Sequence, residues 1–152
     1  MIRYQFVTGL SLIASLWSSG VAAQRYVPLY HWYGEARADN FTTSDPAWAG
    51  EVGAYRAEGG GYRLVRIEGA LLNPALPAPA DSVPVFNYWT PARSDNFLSS
   101  NPTFAASAPT GYVRVRLEGS AYSRPHAGTV PLLNLYSGPR TDNYATTAPR
   151  AD

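Results

Sequence analysis

The sequence contains no cysteine and no lysine. Without cysteine, neither a disulfide framework nor a thiolate metal site is available. All twelve basic residues are arginines, and they are scattered rather than clustered. A nucleic-acid footprint needs a basic stripe, so that class of partner is not supported. Only two histidines occur, His31 and His126. They lie at unrelated points of the chain, and catalytic use of either would need a positioned partner. No nucleophile elbow, phosphate-binding loop or metal-ligand helix is present. No EF-hand spacing occurs among the carboxylates, so a calcium site would rest on scattered oxygen ligands alone.

Long hydrophobic runs are also scarce. The one mostly apolar stretch, residues 6–17, is too short to span a bilayer as a mature helix. It follows a short segment with one cation, Arg3, and precedes a small-residue stretch ending in Val21-Ala22-Ala23. That order is the pattern of an export signal, which predicts residues 1–23 as a signal peptide and 24–152 as one secreted or periplasmic domain with no membrane span. Removing Arg3 with that segment leaves eleven arginines against eleven acidic residues.

What the chain has in plenty is glycine, proline and aromatics, thirteen, thirteen and 13% respectively. That composition suits short strands joined by turns. The chain also repeats itself. VPLYHWYGEARADNFTTSDP (27–46), VPVFNYWTPARSDNFLSSNP (83–102) and VPLLNLYSGPRTDNYATTAP (130–149) align without a gap. Val, Pro, Arg, Asp, Asn and the final Pro are identical in all three. A second block follows two of the copies, GYRLVRIEG (61–69) and GYVRVRLEG (111–119). The repeat units are therefore 27–69, 83–119 and 130–152, the last without its second block. Repetition at this period points to a supersecondary unit that packs on its own copies.

Each Val-Pro segment reads as a β-hairpin: an aromatic strand, a turn, and a return strand starting at the Asp. Asp45-Pro46 has the form of a helix start, and Trp48, Val52 and Tyr55 fall on one face of a short helix closed by Gly59-Gly60-Gly61. In the Glu-Gly blocks, alternation predicts Val65 and Ile67, or Val113, Val115 and Leu117, facing a core. Arg66–Glu68 and Arg116–Glu118 then pair on the outer face.

The Arg-x-Asp-Asn phrase supplies the candidate site. Parity puts Asp39, Asp95 and Asp142 at the edge of the core, where a carboxylate needs partners. Arg37, Arg93 and Arg140, or turn amides, are the partners at hand, and this reading makes the phrase a hairpin device. The other reading makes it a shallow sugar site. Asn40, Asn96 and Asn143 take the more exposed parity, and Trp32, Tyr88, Tyr30, Phe86 and Trp89 offer apolar platforms. Glu68 and Glu118 do not form a hydrolytic pair on this reading, because each repeats beside an arginine.

With those motifs in view, the chain resembles a family of secreted, mostly bacterial repeat modules. Their units run as an aromatic P-L-Y-x-Y-W strand, a G-D-N/H-F-T-T strand, a short helix and a G-Y-x-x-x-x-E-G strand. The resemblance covers residues 27–149. It implies a non-catalytic carbohydrate- or surface-binding module with no cofactor. Two departures stand out: the glycine before Asp-Asn is Ala38, Ser94 and Thr141 here, and the third unit lacks its Glu-Gly block. The expectation is a mainly β fold of hairpins in a pseudo-three-fold, β-trefoil-like arrangement, with one or two short helices. The expected function is binding of cell-surface or environmental carbohydrate, and the alternative is a structural or protein-interaction domain of the envelope. An unpaired strand edge at the third unit would invite self-association.

Overall fold

The structure is a computed structural model that describes residues 5–8, 24–104 and 111–148. It is mainly β, with antiparallel pairing throughout. Its strands are β1 (Gln5–Thr8), β2 (Tyr26–Gly34), β3 (Asp39–Thr43), β4 (Tyr55–Arg56), β5 (Tyr62–Leu72), β6 (Ser82–Thr90), β7 (Asp95–Ser99), β8 (Val113–Tyr122), β9 (Thr129–Ser137) and β10 (Asp142–Thr146). Of the segment expected as an export signal, only Gln5–Thr8 is described, as β1; residues 1–4 and 9–23 lie outside the described residues. Among the described residues no helix is long and apolar enough to cross a membrane.

Each Val-Pro segment forms a hairpin: β2–β3, β6–β7 and β9–β10. The three turns share one backbone shape, and its cause is visible in the dihedrals. Ala38, Ser94 and Thr141, the residues before each Asp-Asn, all adopt the left-handed conformation, with φ of 52°, 50° and 53°. Their amides bond back three residues, Ala38 to Glu35, Ser94 to Pro91 and Thr141 to Gly138. This is the position at which the resembling modules carry glycine, and glycine adopts that conformation without a Cβ clash. Thr141 is β-branched and carries the greatest strain of the three. Thr141→Gly is therefore expected to stabilise the chain by about 1 kcal/mol, read as a higher urea midpoint at unchanged slope.

The strands β2 and β6 each carry a Glu-Gly strand on their other side, β5 and β8. Both pairings contain two register shifts. Leu29 faces Gly69 but Tyr30 faces Ile67, so Glu68 is an inserted residue; Val85 and Phe86 face Gly119 and Leu117, so Glu118 is its counterpart. Val65 and Val115 are the second insertions. A bulge reverses the alternation beyond it. The expected core valines are consequently outside: Val65, Val113, Val115 and Leu117 are exposed, and Ile67 is half-buried. Tyr62, Leu64 and both glutamates are inside instead. At Gly119 the backbones approach so closely that a Cβ would lie 2.6 Å from the Leu72 carbonyl oxygen, which reserves the place for glycine.

The central core draws on every hairpin: Leu29, Val85 and Leu132 from the outgoing strands, Leu98 and Ala145 from the return strands, and Leu71 and Ala121 from the Glu-Gly strands. A second cluster, Tyr30, Trp32, Tyr62 and Leu64, is closed by Phe41 and Trp48. The helix expected over residues 46–55 is only a 3-10 turn, Pro46–Trp48. Asp45 caps it as expected, its Oδ1 accepting from Ala47 at 2.9 Å. Beyond it the chain turns at Gly53, φ 91°, and its backbone bonds to Leu64, which makes Tyr55–Arg56 an edge strand of β5. Tyr55 and Val52 are exposed as a result. Trp48 packs edge-on against Trp32, Phe41 and Tyr62. In the second unit Phe104 packs edge-on against Tyr88 and Tyr112 and at a tilt against Phe97.

Candidate functional site

The return strands β3, β7 and β10 contact one another, each beginning at its Asp-Asn pair. This brings Asp39, Asp95 and Asp142 together: one oxygen of each lies within 4.8 Å of the others, although each lies on a different hairpin. All three are buried. The parity reading of these carboxylates therefore matches their position, and of the expected arginine partners Arg140 pairs with Asp142 at 3.8 Å, while Asp39 and Asp95 take other partners. Tyr62 donates its hydroxyl to Asp39, and Tyr112 donates to Asp95. The neighbouring hairpin supplies the rest. Asn40 donates to Asp142 through its backbone amide at 3.3 Å and its side-chain amide at 2.6 Å. Asn143 donates to Asp95 in the same two ways, at 3.1 and 2.5 Å. Asn96 makes no such bond to Asp39 among the described residues. Arg93 stands one step back, donating to the Tyr112 hydroxyl at 2.8 Å.

These contacts set the electrostatics. Burial lifts the Asp39 carboxyl to about 6 despite the Tyr62 hydrogen bond, and the Asp142 and Asp95 charges add to the lift. Burial also raises Asp142, against the hydrogen bonds from Asn40. The Tyr62 and Tyr112 hydroxyls are pushed up by burial and by the carboxylates they serve, so they remain donors at neutral pH. Three converging carboxylates are the donor type of a hard-cation site. Here, however, their oxygens already accept from two tyrosines and two asparagines.

A second ring of contacts involves the glutamates. Glu118, wholly buried, accepts from the Thr43 hydroxyl at 3.0 Å, the Ser44 amide and hydroxyl at 2.7 Å each, and the Asn87 amide at 3.0 Å. Arg116 lies 3.5 Å from it, which realises the expected Arg–Glu pairing on a buried carboxylate. Glu68 repeats the arrangement one unit away, with Thr146 at 3.2 Å, the Thr147 amide at 2.7 Å, Arg66 at 2.7 Å and His31 at 3.3 Å. Burial would raise Glu68, but hydrogen bonds from His31, Arg66 and Thr147 hold it down at about 2. His31 also bonds to the Asn40 side chain at 2.9 Å, so this histidine is a member of the network.

The expected sugar platforms are not at the surface. Trp32 and Tyr88 are both 0% exposed and Tyr30 is buried, while Phe86 and Trp89 are half-buried. The reason is packing within each unit: Trp32 is closed in by Tyr62, Leu64 and Trp48, and Tyr88 packs on Phe104 and donates to the Asn101 carbonyl. Asn40 is buried as well, which corrects its expected exposure, and Asn96 and Asn143 are half-buried. Where the three asparagines meet, the gap between return strands is about 10 Å³, room for about one water and no sugar. The phrase thus joins hairpins to one another.

A larger hollow lies elsewhere. It is an open cleft of about 730 Å³ lined by Trp32, Ala49, Ala54, Tyr55, Arg56, Ala57 and Glu58. The Tyr55 ring is 65% exposed on its rim. The Arg56 guanidinium stacks over Trp32 and Trp48, 5.6 and 5.1 Å from the ring centroids, and lies 3.8 Å from the Glu58 carboxylate.

Sequence reasoning missed Tyr62, Tyr112, Glu68, Glu118 and His31 as network members. For four of them a signal existed: Gly-Tyr-x5-Glu-Gly is retained in both second blocks, and hydroxyl residues stand at 43–44, 99–100 and 146–147 in all three copies. No family model, curated protein or solved structure matches the chain.

Proposed function

We propose that this chain is an exported, non-catalytic binding module whose three hairpins form a pseudo-three-fold, trefoil-like frame. Its contact with cell-surface or environmental carbohydrate is made at the Tyr55 cleft, and the Arg-x-Asp-Asn phrase serves the frame. The observation that carries this reading is the cleft itself: an exposed aromatic ring beside a paired guanidinium and carboxylate. A sugar ring needs an apolar face to stack on and planar groups that hydrogen-bond its hydroxyls. Arg56, seated over the Trp32 and Trp48 rings, presents its remaining N–H groups at little entropic cost. The resemblance to secreted repeat modules favours the same class and the same secreted or periplasmic location.

A protein-interaction role in the envelope is the second reading, favoured by the burial of Trp32 and Tyr88. A screen of the chain against glycans and cell-wall polysaccharides separates the two. The proposal expects binding that falls at least tenfold in Tyr55→Ala, a change at an exposed position, while Asn143→Ala lowers stability and leaves affinity unchanged once folded. Absence of any saccharide binding by the folded chain would remove the carbohydrate reading.

A further inference from the structure

At one place the three outgoing strands carry different chemistry. His31 on β2 aligns with Asn87 on β6 and Asn134 on β9. Asn87 meets the buried glutamate of its own unit as an amide donor, with Nδ2 3.0 Å from Glu118 Oε1. His31 stands in the same relation to Glu68, with Nδ1 3.3 Å from Oε1. An amide keeps one charge state near neutral pH, whereas an imidazole changes its own there. Of the three positions, only His31 can gain or lose a charge, and it lies where the first hairpin meets the third.

The surrounding bonds decide where the ring protons go. Asn40 donates to Asp142 through Nδ2 at 2.6 Å and through its main-chain amide at 3.3 Å. This orients the Asn40 amide and leaves its Oδ1 2.9 Å from His31 Nε2. An amide oxygen only accepts, so Nε2 carries a proton. On the other side both Glu68 oxygens accept. Arg66 donates to Oε1 at 2.7 Å and to Oε2 at 3.0 Å, and the Thr147 amide donates to Oε2 at 2.7 Å. Glu68 is thus a carboxylate with no proton to give, and a bare Nδ1 would set its lone pair against a negative oxygen. A protonated Nδ1 makes an ion pair there, off the line of an aligned hydrogen bond. At 4% exposure the ring has little access to water as a substitute partner. The other groups around the ring are Thr42 opposite it on β3, Arg66 opposite it on β5, and the Tyr144 ring of β10 at 4.8 Å. Arg66 opposes a second proton, but both its bonds to Glu68 are already made; the Asp142 carboxylate behind Asn40 favours it.

We infer that the seam between the first and third hairpins is a proton-dependent lock, in which His31 carries protons on both ring nitrogens in the folded chain. The doubly protonated ring ties two grips on the third hairpin together: Glu68, which holds Thr146 and Thr147, and Asn40, which holds Asp142. Loss of the Nδ1 proton turns the Glu68 contact repulsive and loosens this seam. The seam made by Glu118 and Asn87 does not respond. The sign follows from linkage. A proton held more tightly by the folded chain than by the unfolded one stabilises fully below the unfolded histidine value of about 6.5, and its contribution is lost at higher pH. This inference is independent of the carbohydrate cleft.

Nitrogen NMR of the full chain labelled in its two histidines reads both rings directly, with His126→Asn assigning the signals. At pH 7.5 both His31 nitrogens are expected to carry protons, where an ordinary histidine carries one on most molecules. A single protonated nitrogen on His31 at that pH would overturn the inference, since it would mean a neutral ring beside an Asn40 amide turned over onto a protonated Asp142. Chemical denaturation of His31→Asn gives a second readout, because asparagine is what the other two units carry. The ratio of its unfolding constant to that of the native chain is expected to fall at least tenfold between pH 6 and pH 9. A ratio that does not change with pH would make His31 a structural residue only and would equally overturn the lock. Should His31→Asn fail to fold, the ring-nitrogen measurement on the native chain decides alone.

Discussion

Replacing Glu118 with alanine is expected to cost about 3–5 kcal/mol of folding stability, a large share of what a domain of this size possesses. The side chain is wholly buried and accepts from Thr43, Ser44 and Asn87, residues of the first and second hairpins. Alanine leaves the Ser44 amide and the donor groups of Thr43, Ser44 and Asn87 facing a cavity. Each buried donor without an acceptor costs about 1–3 kcal/mol. Glu118→Gln retains one acceptor oxygen but points an NH2 group at donors, so about half the loss is expected. Chemical denaturation measures both. A cost below about 1 kcal/mol for alanine would mean that this carboxylate does not tie the units together.

The second large effect is a pH dependence with an unusual sign. Asp39 titrates at about 6 in the folded chain, above its ordinary value near 3.8, because it is buried and faces Asp142 and Asp95. The folded state therefore holds this proton more tightly than the unfolded state. The stabilisation is complete below pH ~4 and is lost as pH rises through ~6, an effect of about 3 kcal/mol. Asp142 is raised for the same first cause and adds in the same direction. Glu68, held at about 2 against burial by His31, Arg66 and Thr147, acts oppositely. Its contribution is present above pH ~4.5 and fades as pH falls through ~2. Stability from these groups is thus greatest near pH 4–5. Asp39→Asn keeps an oxygen for the Tyr62 hydroxyl and removes the charge. It is expected to be more stable than the native chain at pH 7.5, by about 1–2 kcal/mol, and close to it at pH 4.5. Equal effects of the substitution at both pH values would contradict the assignment.

Local pattern made the hairpins legible. The ungapped Val-Pro alignment, the period-two alternation and the turn residues place β2–β3, β6–β7 and β9–β10, and strand parity places the three aspartates inside. The left-handed conformation of Ala38, Ser94 and Thr141 was not foreseen, since none of the three is glycine. What failed was parity across bulges. Glu68 and Glu118 are inserted residues and Val65 and Val115 a second pair, so no single alternation runs the length of either strand, and exposed Val113 and Val115 looked like core. The proposed helix over 46–55 failed because the backbone of Gly53 and Ala54 bonds to Leu64, a partner that no local periodicity reveals. The same holds for the site. Asn40 and Asp142 are 102 residues apart, and only packing of the return strands makes them partners. The bonding of Asn40 and the packing of Trp48 on Trp32 and of Phe104 on Tyr88 are why a pattern that reads as a sugar site is folded inward.

The central claim is that the thrice-written Arg-x-Asp-Asn phrase binds hairpin to hairpin, and a double-mutant cycle on Asn40→Ala and Asp142→Ala tests it most directly. The two residues are joined by hydrogen bonds at 3.3 and 2.6 Å. The account predicts that each single change destabilises the chain and that the pair is coupled by at least about 1 kcal/mol in denaturant unfolding. Free energies that add to within about 0.3 kcal/mol would show that the phrase does not link the hairpins, and would contradict the account.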